Sequence, residues 1–195
     1  MNPNLTEIAY ILDRSGSMGP MQEAAIAAFN DFIKTQLDVP GDACLTLIQF
    51  DDAYEVPVPP TPIQDVRELT TATYQPRGMT ALLDAVGRTI KETARRVDAM
   101  PEKEKPGKVI VTIFTDGMEN ASQEYTLKHI SDLIRLHRDE KGWEFLFLAA
   151  NQDAIATAGA MAMDVHLSGN VTFTSKGVQS YGNAMSRKVR ASRMR

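Results

Sequence analysis

The stretch Ala9–Met18, "AYILDRSGSM", joins an apolar run to a dense polar turn. Ile8–Leu12 ("IAYIL") is rich in β-branched and aromatic residues and has no polar face, the pattern of a strand buried on both sides. The run ends at Asp13, and Ser15 and Ser17 follow at two-residue steps before Gly16, Gly19 and Pro20 turn the chain. Taken alone, this rim fits three chemistries. It can be a turn built from the residues turns use, a phosphate-binding loop at a helix N-terminus, or part of a metal site.

Outward from this stretch, strand and helix patterns alternate. Met21, Ala25, Phe29, Phe32, Ile33 and Leu37 recur at helical steps until Pro40 and Gly41 stop them. Ala43–Phe50 ("ACLTLIQF") reads as a second strand, and "AYEVPV" after Asp51-Asp52 as a third. Its prolines confine that third strand to a sheet edge, because proline cannot donate to a ladder. Residues 59–78 form a proline-rich loop with one helical turn near Gln64–Leu69. A helix over Ala81–Ala99, the strand Lys108–Phe114 ("KVIVTIF"), a helix over Leu127–Arg138 and the strand Trp143–Ala150 follow. The spacing predicts a short helix over 154–161, a brief strand over 165–167, and a closing basic helix over 175–193 that packs on the sheet. Such alternation, with strands lacking a polar face, predicts a doubly wound, Rossmann-like α/β sandwich. Its sheet is mostly parallel with one antiparallel edge strand, and helices cover both faces. No repeat or linker divides the chain, so residues 1–195 are read as one domain with its core over about 6–168.

Composition agrees with an ordinary globular chain of 195 residues, 43% hydrophobic and 24% charged. The single cysteine, Cys44, excludes an intramolecular disulfide framework and reads as a buried, inert thiol. The N-terminus shows no signal-peptide pattern, and the apolar run "FLFLAA" is too short to span a bilayer. The expected location is the cytoplasm, with no membrane partner. The net charge of −4 divides into −10 over residues 1–164 and +6 over residues 165–195. A basic terminus can contact nucleic acid. Without a stacking pattern of aromatic residues, the better reading is a helix carrying its bases toward its C-terminal end, where the dipole favours them.

In an α/β sheet, ligands bind beyond the carboxyl ends of the strands. Two strands end there in aspartate, Asp13 and Asp116, and hydroxyls stand nearby: Ser15, Ser17, Thr115, and Thr80 at the start of the long helix. Carboxylates and hydroxyls without nitrogen or sulfur suit a hard cation, and Mg²⁺ takes six oxygens at about 2.0–2.1 Å. Two carboxylates balance a divalent charge and leave the ion able to accept a further anionic oxygen from a partner.

At these residues the chain resembles the von Willebrand factor A domain family. "DRSGSM" is similar to the Asp-x-Ser-x-Ser motif of that family's metal-ion-dependent adhesion site, "GMTAL" supplies its threonine as Thr80, and "FTDG" supplies its later aspartate as Asp116. The resemblance implies a five-ligand metal site of Asp13, Ser15, Ser17, Thr80 and Asp116. It also implies Mg²⁺, with Mn²⁺ or Ca²⁺ as substitutes, and a Glu or Asp of a protein partner at the remaining position. In the family the serines and the threonine meet the metal directly or in exchange with water, and the aspartates often act through water. Met79 departs from the pattern, since relatives often carry glycine there. The length resembles the small stand-alone members of bacteria and phages, which points to an adaptor or assembly component.

The alternative is a Mg²⁺-dependent phosphotransferase or hydrolase using Asp13. Gly16 and Gly19 fit neither G-x-G-x-x-G nor the P-loop, and Ser15 stands where an aspartate-nucleophile enzyme usually carries a second acid. The chain is therefore expected not to be an enzyme, and no catalytic residue is assigned. His129, His137 and His166 lack zinc-ligand spacing. Arg14 is expected to point to solvent or support the rim, and Asp51 and Asp52 to form a solvated hairpin; Met18 and Met118 flank the site, where an apolar rim is the secondary reading beside ordinary packing.

Overall fold

Unbroken burial from Thr6 to Asp13 makes the first strand the centre of the molecule. The computed structural model describes residues 1–116, 119–149, 156, 159–163 and 175–195. Strand β1 (Asn2–Asp13) lies between β2 (Asp42–Phe50) and β4 (Pro106–Thr115), parallel to both. β3 (Tyr54–Pro62) pairs antiparallel with the outer side of β2, and β5 (Glu144–Ala149) pairs parallel with β4. The sheet order is β3-β2-β1-β4-β5. This is the expected α/β architecture with one antiparallel strand.

Four helices stand among the described residues: α1 (Gln22–Leu37), α2 (Leu82–Ala99), α3 (Leu127–Lys141) and α4 (Ser175–Arg193). Side chains alternate across β1, so Ile8, Tyr10 and Leu12 meet Phe29 and Phe32 of α1 and Met185 of α4. Ala9 and Ile11 meet Val86 and Ile90 of α2 and Ile130 of α3 on the opposite face. Two hydrophobic layers therefore clamp one sheet, and its parallel strands are largely apolar on both sides for that reason, while the edge strand β3 stays largely exposed.

The prolines sit where donors are dispensable. β3 holds Pro57, Pro59, Pro60 and Pro62, and its register against β2 shifts twice. β4 starts at Pro106, earlier than apolar patterning indicates, because the amide of Asn2 donates to the Lys105 carbonyl at 2.7 Å and draws the chain alongside β1. Cys44 is half-buried, and its thiol is pushed up to about 12, by burial first and by the nearby Glu7 charge second. His137 is buried against Trp143, and His129 closes the capping box of α3 with Thr126. The expected strand over 165–167, most of the expected helix over 154–161, His166 and Met118 lie outside the described residues. Among the described residues no helix is long and apolar enough to cross a membrane.

Helix α4 packs chiefly along α1 and also meets the sheet, where Lys108 of β4 donates to the Ser192 carbonyl and the Ser192 hydroxyl to Glu144 of β5. Gln36 donates through Nε2 to the Ser186 carbonyl at 3.0 Å, and the buried Arg193 donates to the carbonyls of Gln36 (2.7 Å) and Gly41 (3.0 Å). A cation is thus placed on the carbonyls at the C-terminal end of α1, where the helix dipole favours it. Arg187 and Arg190 remain exposed.

Strand order fixes where a ligand can bind. The chain leaves β1 for β2 and β3 on one side and returns for β4 on the other, so the carboxyl ends of β1 and β4 diverge at a topological switch point. The contact between α1 and α4 depends on Gly182, where a Cβ would lie 2.7 Å from the Ala28 Cβ. Gly182→Val is expected to lower stability by about 1–3 kcal/mol through overpacking, as read by urea denaturation.

Candidate metal centre

Asp13 is the last residue of β1 and fully buried. Its Oδ1 accepts from the amide of Ser15 at 2.7 Å, and its Oδ2 accepts from the hydroxyl of Thr115 on β4 at 2.5 Å. The buried Tyr74 hydroxyl donates to the Asp13 carbonyl at 2.6 Å. The same turn sets the serines: Ser15 Oγ and Ser17 Oγ share a hydrogen bond of 3.1 Å, and Ser17 Oγ donates to Asp116 Oδ1 at 3.0 Å. Asp13, Ser15, Ser17 and Asp116 thereby form one connected cluster. Ser17 is exposed and the other three are buried, so the cluster opens to solvent through Ser17.

Thr80, also buried, joins through its backbone. The amide of Gly16 donates to the Gly78 carbonyl at 3.1 Å. The Thr80 amide donates to Asn120 Oδ1 at 2.9 Å, and its carbonyl accepts from the Asn120 amide at 3.1 Å. The Thr80 loop thus lies between the loop that carries Ser15 and the loop that follows Asp116. Gly78 makes that approach possible, with φ of +67° and Asp52 Oδ1 only 2.0 Å from where a Cβ would stand.

The electrostatics suit a cation. Asp13 is raised to about 6, by burial first, against the hydrogen bonds from Thr115 and Ser15, with the Asp116 charge adding to the rise. Asp116 is also raised, again by burial, against the Ser17 hydrogen bond. Two acids held close in a desolvated setting favour loss of charge until a cation joins them. The oxygen spacings fit as well. An octahedron with metal–oxygen bonds of about 2.1 Å has edges of about 3.0 Å, and the Ser15–Ser17 and Ser17–Asp116 separations are 3.1 and 3.0 Å. The donor set is oxygen-only, as Mg²⁺ or Mn²⁺ requires.

Several expectations about the surroundings change. Asp51 is not solvated: it is 1% exposed and ion-paired to Arg14 and Arg77, while Asp52 stays exposed beside Gly78. Arg14 supports the rim from within, being buried, and does not face solvent. Met18 is buried in the core because the 3-10 turn Gly16–Met21 rotates it inward, so it gives no rim. Met79 is 56% exposed next to Thr80 and is the apolar side chain at the edge of the site.

Sequence patterning missed the residues that shape the third loop. Asp84, in the first turn of α2, accepts the amides of Gln123, Glu124 and Tyr125 at 2.8–2.9 Å. Glu119 accepts the amides of Leu83, Ala121 and Ser122 at 2.7–3.0 Å. A helix-start acid is ordinary in sequence, and nothing local marks its partners some forty positions later.

With this geometry established, similarity to known proteins becomes informative. The family model described as von Willebrand factor type A domain matches residues 8–119. The chain belongs to that family. No curated protein matches it. Among solved structures, a von Willebrand factor type A protein from Catenulispora acidiphila is 16% identical with a TM-score of 0.61, covering 94% of this chain and 42% of its own. The pilus adhesin SpaC of Lactobacillus rhamnosus GG, in its open conformation, is 13% identical with a TM-score of 0.66, over 97% of this chain and 30% of that one. The manganese-loaded TRAP protein of Plasmodium vivax is 14% identical with a TM-score of 0.56, over 93% of this chain and 73% of that one. At these identities the likeness is one of fold. The chain spans less than half the length of the first two.

Asp84→Ala is expected to leave three backbone amides of the Asp116 loop without their acceptor and to cost about 3 kcal/mol in urea unfolding. Asp84→Asn, which keeps one acceptor oxygen, is expected to cost less.

Proposed function

We propose that this chain is a metal-dependent protein-binding module. Asp13, Ser15, Ser17, Thr80 and Asp116 would hold a divalent cation, with Mg²⁺ the expected ion and Mn²⁺ or Ca²⁺ able to replace it. The observation that carries the reading is the oxygen cluster at the β1–β4 switch point, two buried acids joined through two serine hydroxyls at octahedral-edge spacing. When bound, the cation supplies an electrophilic position for an outside carboxylate. A Glu or Asp side chain of a protein partner is the matching ligand, and the chain would act as an adaptor or assembly component.

Family membership supports a binding role, and the similar SpaC protein is a pilus adhesin. One of the similar structures, TRAP, is manganese-loaded. The seat of Asp13 argues against the phosphotransferase alternative. One donor on each carboxylate oxygen leaves lone pairs for a small cation, but the fully buried residue has no exposed oxygen to meet a bulky phosphoryl group in line.

In this reading the chain's residues divide the work. Thr115, Tyr74 and the Ser15 amide orient Asp13. Exposed Ser17 marks the side from which a partner carboxylate would enter, and the exposed Met79, directly before Thr80, would offer an apolar contact. Metal and partner are thermodynamically linked, each raising the affinity for the other.

Manganese or magnesium at a hundredfold excess over its dissociation constant is expected to stabilise the protein by about 2.7 kcal/mol, seen as a rise in thermal midpoint. Asp13→Ala is expected to abolish that rise while the metal-free far-UV spectrum is retained. Partners captured with Mg²⁺ should be lost with chelator and with Asp13→Ala. Capture that survives both treatments rules the mechanism out, and metal-dependent phosphate release from nucleotides that Asp13→Ala removes would favour the enzymatic reading.

A further inference from the structure

Asp51 was expected on a solvated hairpin, and its burial calls for an explanation. It lies directly after β2 and is bonded on every side. Its amide donates to the Ala53 carbonyl at 3.0 Å, its Oδ1 accepts the Ala53 amide at 2.6 Å, and its carbonyl accepts the Ala81 amide at 2.9 Å. Its Oδ2 accepts from two guanidinium groups, Arg14 Nε at 3.0 Å and Arg77 Nε at 2.9 Å. Both arginines then reach Glu55 on β3, Arg14 through Nη1 at 2.7 Å and Arg77 through Nη2 at 3.0 Å.

The positions of these arginines matter more than their number. Arg14 stands between Asp13 and Ser15, and Arg77 precedes Thr80 in the loop that supplies it. The Arg77 amide also donates to the Arg14 carbonyl at 2.7 Å, and the Arg14 amide to the Phe50 carbonyl at 2.8 Å. Side chains alternate along the extended segment. Asp13 and Ser15 therefore face the oxygen cluster while Arg14 faces the opposite way, into Asp51 and Glu55.

We propose that Asp51, with Arg14 and Arg77, is an ion-pair strap that holds the Thr80 loop against the Asp13–Ser17 loop and so sets the affinity of the metal centre. Asp51 and both arginines are positioning residues that touch no metal. The inference rests on the metal-binding reading above.

Energetics separate this role from simple stabilisation. A buried ion pair such as Arg14–Asp51 adds little net stability over an apolar replacement, since desolvation offsets its Coulomb energy. The Arg77 pairs are weaker still for stability, because the Arg77 side chain is 59% exposed. What the cluster does supply is fixed geometry: one carboxylate gathers Arg14 of the Asp13–Ser17 loop and Arg77 of the Thr80 loop, and its own backbone carbonyl holds the residue after Thr80. Groups that orient metal ligands are expected to move metal affinity more than they move folding stability.

The test is Mn²⁺ binding by calorimetry to the full chain and to Asp51→Asn, Arg77→Gln and Arg77→Lys, with hydrogen exchange at the Gly16 and Ala81 amides. Mn²⁺ affinity is expected to fall about tenfold in Asp51→Asn and about threefold in Arg77→Gln, with partial recovery in Arg77→Lys. The metal-free thermal midpoint of Arg77→Gln should stay within about 2 °C of the parent, because Arg77 is exposed and Asp51 keeps Arg14. Unchanged Mn²⁺ affinity in both Asp51→Asn and Arg77→Gln, with the parent binding Mn²⁺, overturns the strap. A parent that binds no Mn²⁺ overturns the metal reading instead. The strap is then judged by exchange alone: faster exchange at Gly16 and Ala81 in Arg77→Gln upholds the loop-holding role, and unchanged exchange overturns it.

Discussion

The hydrogen bond from Thr115 to Asp13 ties the two strands that flank the switch point, and the site depends on it. Parallel pairing of β1 and β4 sets Leu12 opposite Phe114, which brings the residues that follow, Asp13 and Thr115, side by side. A buried carboxylate is costly unless hydrogen-bonded. Asp13 meets that demand with one donor from its own turn, Ser15, and one from the neighbouring strand. The acid therefore cannot be seated without correct strand register, and correct register places Asp116 beside Ser17.

The three loops at this edge are held by carboxylates of two kinds. Asp84 and Glu119 accept backbone amides and tie the loop after Asp116 to the N-terminal turn of α2. Asp51 accepts guanidinium groups and ties the Thr80 loop to the Asp13–Ser17 turn. Thr80 stands between the two anchors, bonded through its backbone to Asn120 on one side, with Ala81 bonded to Asp51 on the other. The long segment before it, which has little regular structure, is pinned in turn by amide side chains: Asn30 to Leu69, Gln49 to Thr73 and Gln22 to Tyr74. A loop of this length keeps a defined path only because its carbonyls and amides are satisfied by such partners.

Much of this was legible in the sequence. Strands buried on both faces announce themselves as unbroken apolar runs, and helices as stripes with a 3.6-residue period. The candidate site residues were legible too, because "DRSGSM", "GMTAL" and "FTDG" resemble the family's motif, and the fold brings their loops to one sheet edge. Their partners were not. Asp51 reads as half of a polar dipeptide after a strand, the usual composition of an exposed turn, and only the fold brings Arg14 and Arg77 to it. Met18 reads as a rim residue from its place beside Ser17, but a 3-10 turn precedes α1 and turns that side chain into the core. Asp84 looks like a favourable first-turn acid, and it is instead the acceptor for a distant loop. In each case the missing information was a long-range contact, which local pattern does not carry.

Charge explains why metal and partner would have to act together under the proposed reading. Residues 1–164 carry a net charge of −10, and the candidate centre includes two acids, with Asp13 raised by burial first and by the Asp116 charge in addition. An approaching carboxylate meets a field of its own sign, so an acidic partner is repelled from the centre without a cation. A divalent ion would offset the charge of the two acids and present an electrophilic position at the opening beside Ser17. Specificity for an acid would then come from the same surroundings that otherwise exclude it, because the neutral serine and threonine hydroxyls add no negative charge of their own and would leave the ion able to accept an outside carboxylate.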